Sequence, residues 1–431
     1  MKIPGSRLAA ALVGGALLAS SLGAQGVTTA AIAGTVTGQG GAPLAGAVIA
    51  ATHVPSGTKY GTVTRSDGRF YLGAMRVGGP YEVTVRAIGF EPKTLSGINL
   101  ELGITTDLAF TMNPTLVRLD AVAITAEGGQ MSSARTGAST TVSGDALSAF
   151  PTIGRTITDF TRLTPQATGF GSFAGLDNRF NNISVDGSYF NNSFGLSGQP
   201  GGRTGVSPIP LDAVDQLQVA IAPYDVRQGN FTGAGVNAVT KSGTNEFSGS
   251  VYTVQRDQSL VGRKAGDVSF DPGTFTFKQF GARLSGPIIR NKLFFFANYE
   301  GDGYKAPGTT FLANTGGQPV AGNTTRVLAS DMTAMSTFLQ QKFNYATGPF
   351  AGWNLETPSS RIIAKLDWNV NEKNKASLRY IQLDSRSDNP VSNSSSLGFG
   401  SRRDNLNSMS FQNSGYAIME NIRSLVAEWN S

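Results

Sequence analysis

The 431-residue chain contains no cysteine and a single histidine, His53. The first absence removes disulfides, thiolate metal sites and a cysteine nucleophile. The second leaves too few ligands for a zinc site of His or Cys, and a Ser-His-Asp triad would have to recruit His53 itself. That residue follows a predicted strand and precedes Pro55, so it reads as an ordinary surface or edge position. Charge is scarce, with Asp, Glu, Lys and Arg making up 15% of the chain. Long apolar runs are scarce too: hydrophobic residues are 40% of the chain, and a helical membrane protein would show several runs of ~20 apolar residues. Transmembrane β-strands escape that exclusion, because they alternate lipid-facing and lumen-facing residues. No glycine-rich loop ends in the Lys-Ser/Thr pair of a phosphate cradle, and no HExxH occurs. Despite a formal net charge of +6, the basic residues are dispersed and lack interleaved aromatics. These absences argue against an enzyme, a bound cofactor, a metal or a nucleic-acid partner. Asp186, Asp212 and Asp215 read most simply as turn and helix-start residues.

Glycine is what the chain has in excess, 54 residues or roughly one in eight, against a usual ~7%. The N-terminus carries Lys2 and Arg7, an apolar stretch from Leu8 to Leu22, and small residues at Ser21, Gly23 and Ala24. That is the layout of a cleaved secretory signal over residues 1–24.

From Ala31 to Met112 short β-prone runs are separated by glycine-bearing turns, the pattern of a small antiparallel sandwich. The predicted strands are Ile32–Thr37, Ala47–Thr52, Gly61–Thr64, Arg69–Leu72, Tyr81–Ala87 and Leu108–Met112. Asp67-Gly68 is a hairpin signal, because a tight primed turn needs positive φ. The stretches GTVTGQGGAPLAGAVIA and TRSDGRFYLGAMRVGGPYEVTVRAIGF resemble the carboxypeptidase regulatory-like domain. The resemblance implies a β-sandwich without a catalytic site over residues 25–115.

A linker, 116–129, follows. Within it Leu119, Asp120, Ala121, Val122, Ala123, Ile124 and Thr125 form a β-prone run ahead of the next unit. By composition and position it resembles a TonB box, an extended peptide that binds its partner by adding a strand to a sheet edge. Residues 130–245 resemble the plug domain of TonB-dependent receptors, through ITDFTRLTPQ, RFNNISVDG, PLDAVDQLQV and GAGVNAVTKSGTNEFSGS in family order. The motif positions are Arg179, Asn182, Val185, Asp186, Gly187, Gly233, Gly235, Asn237, Thr240 and Lys241. Locally, Ile157, Phe160 and Leu163 fall on one face of a short helix, Ile183 and Val185 alternate in a strand, and Leu217 and Val219 begin another.

Residues 246–431 read as part of an outer-membrane barrel. Phe280, Ala282 and Leu284 alternate with polar neighbours, turn at Pro287–Asn291, and return through Leu293, Phe295, Ala297 and Tyr299. Ile362, Ala364, Leu366 and Trp368 repeat the pattern, turn at Asn371–Asn374, and return through Ala376, Leu378 and Tyr380. Long loops are expected over Gly301–Ser360 and Ser385–Ser414, the first with a small helix around Met332, Met335 and Leu339. Short turns on one side and long loops on the other are the habit of outer-membrane barrels.

The expected fold is therefore mainly β: a small N-terminal sandwich, an α/β plug, and the first strands of a large antiparallel transmembrane barrel. About six strands fall after Glu246, whereas the resembled receptors close with about 22, so the chain is expected to be a fragment. The resemblance to Oar-like TonB-dependent receptors implies energised transport of an unidentified substrate across the outer membrane. It implies as partners a TonB-type periplasmic energy transducer, outer-membrane lipids, the barrel-assembly machinery and an extracellular substrate, with no nucleic acid. The alternative is a passive surface adhesin or structural outer-membrane protein.

Overall fold

The computed structural model describes residues 27–114, 138–169, 171–192, 195, 197–221, 229, 231–269, 271–392 and 403–430. The first of three β units comprises β1 (Ala30–Gly38), β2 (Val48–His53), β3 (Thr58–Val63), β4 (Arg69–Met75), β5 (Gly78–Arg86), β6 (Lys93–Leu100) and β7 (Thr105–Met112). They form two sheets, ordered β4-β1-β7 and β3-β2-β5-β6. Ile32, Val36, Ile49, Ala51, Val83, Val85, Phe110 and Met112 fill the space between them. Alternation explains why: on β5 Tyr81, Val83 and Val85 are buried while Glu82 and Arg86 are exposed.

Three expectations need correction here. The sandwich is not wholly antiparallel, since β1 and β7 run parallel from Ala31↔Thr105 to Gly38↔Met112. A parallel pair needs a long crossover, and the intervening strands supply it. Asp67-Gly68 does form a turn, with Gly68 at φ 75° and Arg65 donating to the Arg69 carbonyl. It is no hairpin, however, because β3 and β4 lie in opposite sheets and β4 pairs with β1. Finally, His53 is neither surface nor edge. It is 4% exposed, on a strand flanked by β3 and β5, because its place in the alternation of β2 points it inward. Strand β6 escaped the sequence reading because Gly97, at φ 76°, breaks the alternation, leaving Leu95, Ile98 and Leu100 as the buried set.

The central unit is a five-stranded sheet ordered β12-β11-β14-β13-β8. Its strands are β8 (Ala138–Ser143), β11 (Asn182–Val185), β12 (Ser188–Tyr189), β13 (Val214–Ile221) and β14 (Gly235–Thr240), with β9 (Ala167–Gly169) and β10 (Ser172–Phe173) as a separate pair. The expected helix is Ile157–Thr161, opened by a capping box between Thr156 and Asp159. Ile157 and Phe160 are buried, but Leu163 lies beyond the helix end and is 39% exposed. Ile183 and Val185 lie in β11 as expected, and all four residues of that strand are buried.

The third unit is one antiparallel sheet ordered β15-β18-β19-β22-β23-β24. It contains β15 (Ser248–Asp257), β18 (Thr276–Ile289), β19 (Leu293–Pro307), β22 (Asn354–Asn369), β23 (Lys375–Asn389) and β24 (Tyr416–Asn430). Two small pairs lie in its loops: β16 (Lys264–Ala265) with β17 (Val268–Ser269), and β20 (Leu312–Asn314) with β21 (Thr324–Leu328). Residues 290–292 and 370–374 form the short turns, segment 308–353 is a long loop, and 390–392 and 403–415 are the described parts of the connection between β23 and β24. The strands reach further than expected, with Gly301↔Ser360 continuing to Pro307↔Asn354 through sequence without apolar alternation. There the sheet is carried by backbone pairing and by polar cross-strand contacts such as Lys305 with Glu356 at 2.7 Å. The expected helix is Ala329–Phe343, which buries Met332 and leaves Met335 exposed.

This sheet has the inverse of a soluble protein's pattern. Phe280, Leu284, Tyr299, Leu366, Trp368 and Leu378 are exposed, whereas Gln279, Asn298, Glu300, Arg361 and Arg379 on the other face are buried. A surface that exposes its apolar side chains and buries its charges is built for hydrocarbon outside and a polar interior.

Candidate functional site: where the central sheet meets the wall

The central sheet lies between the other two units. Toward the six-stranded sheet, Val185, Leu217, Val219 and Val236 pack in one cluster with Phe296, Ile363 and Ile381. Toward the sandwich, Val239 joins the sandwich's own core.

Charge is concentrated at the first of these contacts. After β11 the chain reverses at Asp186 and Gly187, with φ of 42° and 75°. Glycine adopts that left-handed geometry without a Cβ clash, and aspartate is among the few other residues that tolerate it. The turn aims Asp186 at the wall. Its Oδ1 accepts from the Thr240 amide at 2.7 Å and its Oδ2 from the Thr240 hydroxyl at 2.5 Å. Arg379 of β23 and Lys365 of β22 reach Asp186 Oδ2 at 2.9 and 3.5 Å. Arg379 also donates to the Val185 carbonyl at 2.6 Å and to Ser188 Oγ at 2.9 Å. Burial works to raise the Asp186 pKa, but Lys365, Arg379 and the two Thr240 hydrogen bonds outweigh it, so the carboxyl sits below the usual range.

A second knot joins Asp212 to Lys241 at 3.6 Å and to Arg283 of β18 at 3.4 Å, with Ser250 of β15 donating to Asp212 Oδ2 at 2.7 Å. Burial is the largest influence on the Lys241 pKa and lowers it, helped by Arg283 and opposed by Asp212 and Asp215. Asp215 is pushed up by burial, against Arg76, Lys241 and Lys365. The third knot is Arg361 of β22. It pairs with Asp302 and, at 3.2 Å, with Glu300, and it donates to the Ser207 carbonyl of the central unit at 3.2 Å.

The other motif positions are structural. Asn182 donates to the Gly229 carbonyl and accepts from Asn191. Asn237 accepts from Ser184 at 2.5 Å and donates to Gln218 at 3.4 Å. At Gly233 a Cβ would stand 2.4 Å from Asn181 Oδ1, and at Gly235 it would stand 3.1 Å from the Phe231 ring. Arg179 stands apart from the contact, paired to exposed Asp177 at 2.9 Å. Leu119–Thr125 lies outside the described residues, as does the signal-like N-terminus. Sequence reasoning missed the wall partners Lys365, Arg379, Arg283 and Arg361. Each is a charge on the inward face of its strand, a signal that does not say which loop will meet it. His53 takes no part: its Nδ1 lies 2.7 Å from Ser56 Oγ, and burial, aided by Arg76, pushes its pKa down to about 3.

Two family signatures match the chain: a carboxypeptidase regulatory-like domain at residues 31–113 and an outer membrane beta barrel domain at 239–423. The TonB-dependent transporter Oar of Myxococcus xanthus is 32% identical over 136 residues, 29% of this chain and 13% of its own length. A probable TonB-dependent siderophore receptor, PirA, of Acinetobacter baumannii is 30% identical over 127 residues, 27% of this chain and 15% of its own. The crystal structure of the outer membrane transporter YddB from Escherichia coli aligns over 59% of this chain and 34% of its own, at 12% identity and a TM-score of 0.41. The chain thus matches only a small part of the length of these curated relatives. The sandwich thus coincides with the first signature and the six-stranded wall with the second, so the chain carries a carboxypeptidase regulatory-like domain and part of an outer membrane beta barrel domain, and over a short stretch it is similar to TonB-dependent receptors.

Proposed function

We propose that this chain is part of an Oar-like transporter whose central unit, residues 130–245, is the plug, and whose segment Leu119–Thr125 is the contact for a TonB-type periplasmic partner. The observation that carries the reading is the Asp186 turn clamped by Lys365 and Arg379. It is a buried contact of opposite charges between a separate folded sheet and the polar inner face of a membrane wall. Such a contact blocks the lumen at rest and can be broken and remade, whereas an adhesin needs no removable stopper. The partner supplies the work: one charge crossing ~100 mV of inner-membrane potential releases about 2.3 kcal/mol, and the outer membrane has no such source. Domain limits follow as 25–115, 116–129, 130–245 and 246–431 behind a signal at 1–24. Lipids meet the exposed apolar face, and the barrel-assembly machinery inserts it. The cargo is an unidentified extracellular or exported substrate, carried and not chemically altered.

The test is capture by a purified TonB C-terminal domain. Val122→Pro removes a backbone donor and fixes φ, so it is expected to weaken capture well beyond Val122→Ala. Equal capture of wild type and a chain lacking Leu119–Thr125 would sink the energised reading and favour the adhesin.

A further inference from the structure

The sandwich is not tethered loosely beside the plug. On β13, Leu217 and Val219 face the plug interior, while Gln216 and Gln218 alternate to the other side and are buried as well. Buried glutamines need partners, and the sandwich provides them. Gln216 accepts from the Leu102 amide at 2.9 Å and donates to the Leu100 carbonyl at 3.1 Å. Gln218 donates to the Leu102 carbonyl at 2.7 Å.

Further contacts ring this one. Arg76 of the sandwich donates to the Gly243 carbonyl at 3.3 Å, and Asn245 donates its amide to the Pro55 carbonyl at 2.8 Å. The rim of the wall joins in, with Asn369 donating to Thr58 at 2.9 Å and the Lys375 ammonium 4.0 Å from the centre of the Tyr60 ring. Asn369 and Lys375 flank the short turn between β22 and β23, so the sandwich stands at the short-turn end of the lumen. In outer-membrane barrels that end is periplasmic.

β13 is therefore held from two directions. Its backbone pairs with β8 from Gln216↔Ser143 to Ile221↔Ala138, while its glutamines hold the sandwich. The segment proposed to receive the pull lies between the end of β7 at Met112 and the start of β8 at Ala138. A load applied there reaches the sandwich and the plug together.

We propose that the carboxypeptidase regulatory-like sandwich is a latch on the plug, gripped by Gln216 and Gln218, and that it must let go before the plug can move. The proposal rests on reading the central unit as a plug, and it assigns the sandwich a role in holding the lumen shut.

The test uses the full receptor in the outer membrane of intact cells, with leakage of a large glycopeptide antibiotic as the readout, so no substrate is needed. In purified receptor, hydrogen exchange at the Leu102 amide reports docking. Gln216→Ala with Gln218→Ala is expected to speed that exchange about tenfold, to leave the β2 amides protected, and to raise antibiotic leakage several-fold. Arg76→Ala with Lys375→Ala, which replaces no residue of the plug sheet, is expected to act in the same direction and guards against a defect in the packing of that sheet. Asp186→Asn, which breaks the wall clamp, serves as the reference for a loosened plug. If the docking variants free Leu102 but only Asp186→Asn leaks, the latch is overturned and the plug stands. If none of the three leaks, the plug reading falls and takes the latch with it. Unchanged exchange at Leu102 in both docking variants also overturns it, since the named contacts would then not hold the module.

Discussion

Asp186 shows how much one carboxylate decides here. Two cations from different wall strands and two hydrogen bonds from Thr240 converge on it. Removing one member of a buried ionic group leaves the others uncompensated, at a cost of about 3–5 kcal/mol. Asp186→Asn is expected to free the Thr240 amide, measured as faster hydrogen exchange in detergent-solubilised protein. Asp177→Asn, which disturbs only an exposed pair with Arg179, is expected to leave it unchanged. The pH dependence follows from the lowered pKa of Asp186. Its contribution is present above the ordinary carboxylate pKa of about 3.9 and is lost as pH falls through the lower folded value. Protection at Thr240 should therefore survive mild acid and fade only below the usual carboxylate range, and Asp186→Asn should lack that step.

Among the elements, the wall strands make the sharpest prediction because their two faces meet different media. Lysine in place of an outward residue at the middle of the bilayer costs about 2–4 kcal/mol and much less near an interface. Leu284→Lys, in mid-strand, is expected to lower the folded, protease-resistant fraction in outer membranes more than Ile288→Lys beside the short turn; equal losses would mean that this face does not meet lipid. Such alternation was legible in the sequence: Phe280, Leu284, Leu366, Trp368 and Leu378 all face outward. Strand ends were not, since Gly301–Pro307 pairs through its backbone with no apolar rhythm to announce it. β6 was lost to the glycine that interrupts it, and His53 was misplaced because a neighbouring proline says nothing about which face a side chain takes. The site was half legible. Asp186-Gly187 was visible as a turn, but what the turn points at depends on residues 365 and 379, brought to it only by the fold.

At the scale of the molecule, the sandwich has its own core of Ile32, Ile49, Tyr81, Val83 and Phe110, and residues 27–114 are expected to fold when excised. Circular dichroism should show β structure with a cooperative melt; a disordered spectrum would refute this. His53 gives that melt a pH signature. Its folded pKa of about 3 lies below the ordinary 6.5, so the unfolded chain binds the proton first. Stability is then complete above 6.5 and falls by up to about 1.4 kcal/mol per unit as pH drops toward 3. For a domain of this size that is about 4–8 °C per kcal/mol in Tm. His53→Gln should flatten the slope, and an unchanged slope would assign it to other groups. The parallel pairing of β1 with β7 reaches further. Ala30–Gly38 leads the module and Thr105–Met112 closes it, so the last partner arrives only after everything between has emerged. Until then one side of β1 is a bare row of amides and carbonyls, open to capture by a neighbouring chain. Closure across so long a span is slow. For this chain the interval between export of Gly38 and export of Met112 is thus a period of exposure to aggregation, and a periplasmic chaperone that covers β1 during it would raise the yield of everything downstream.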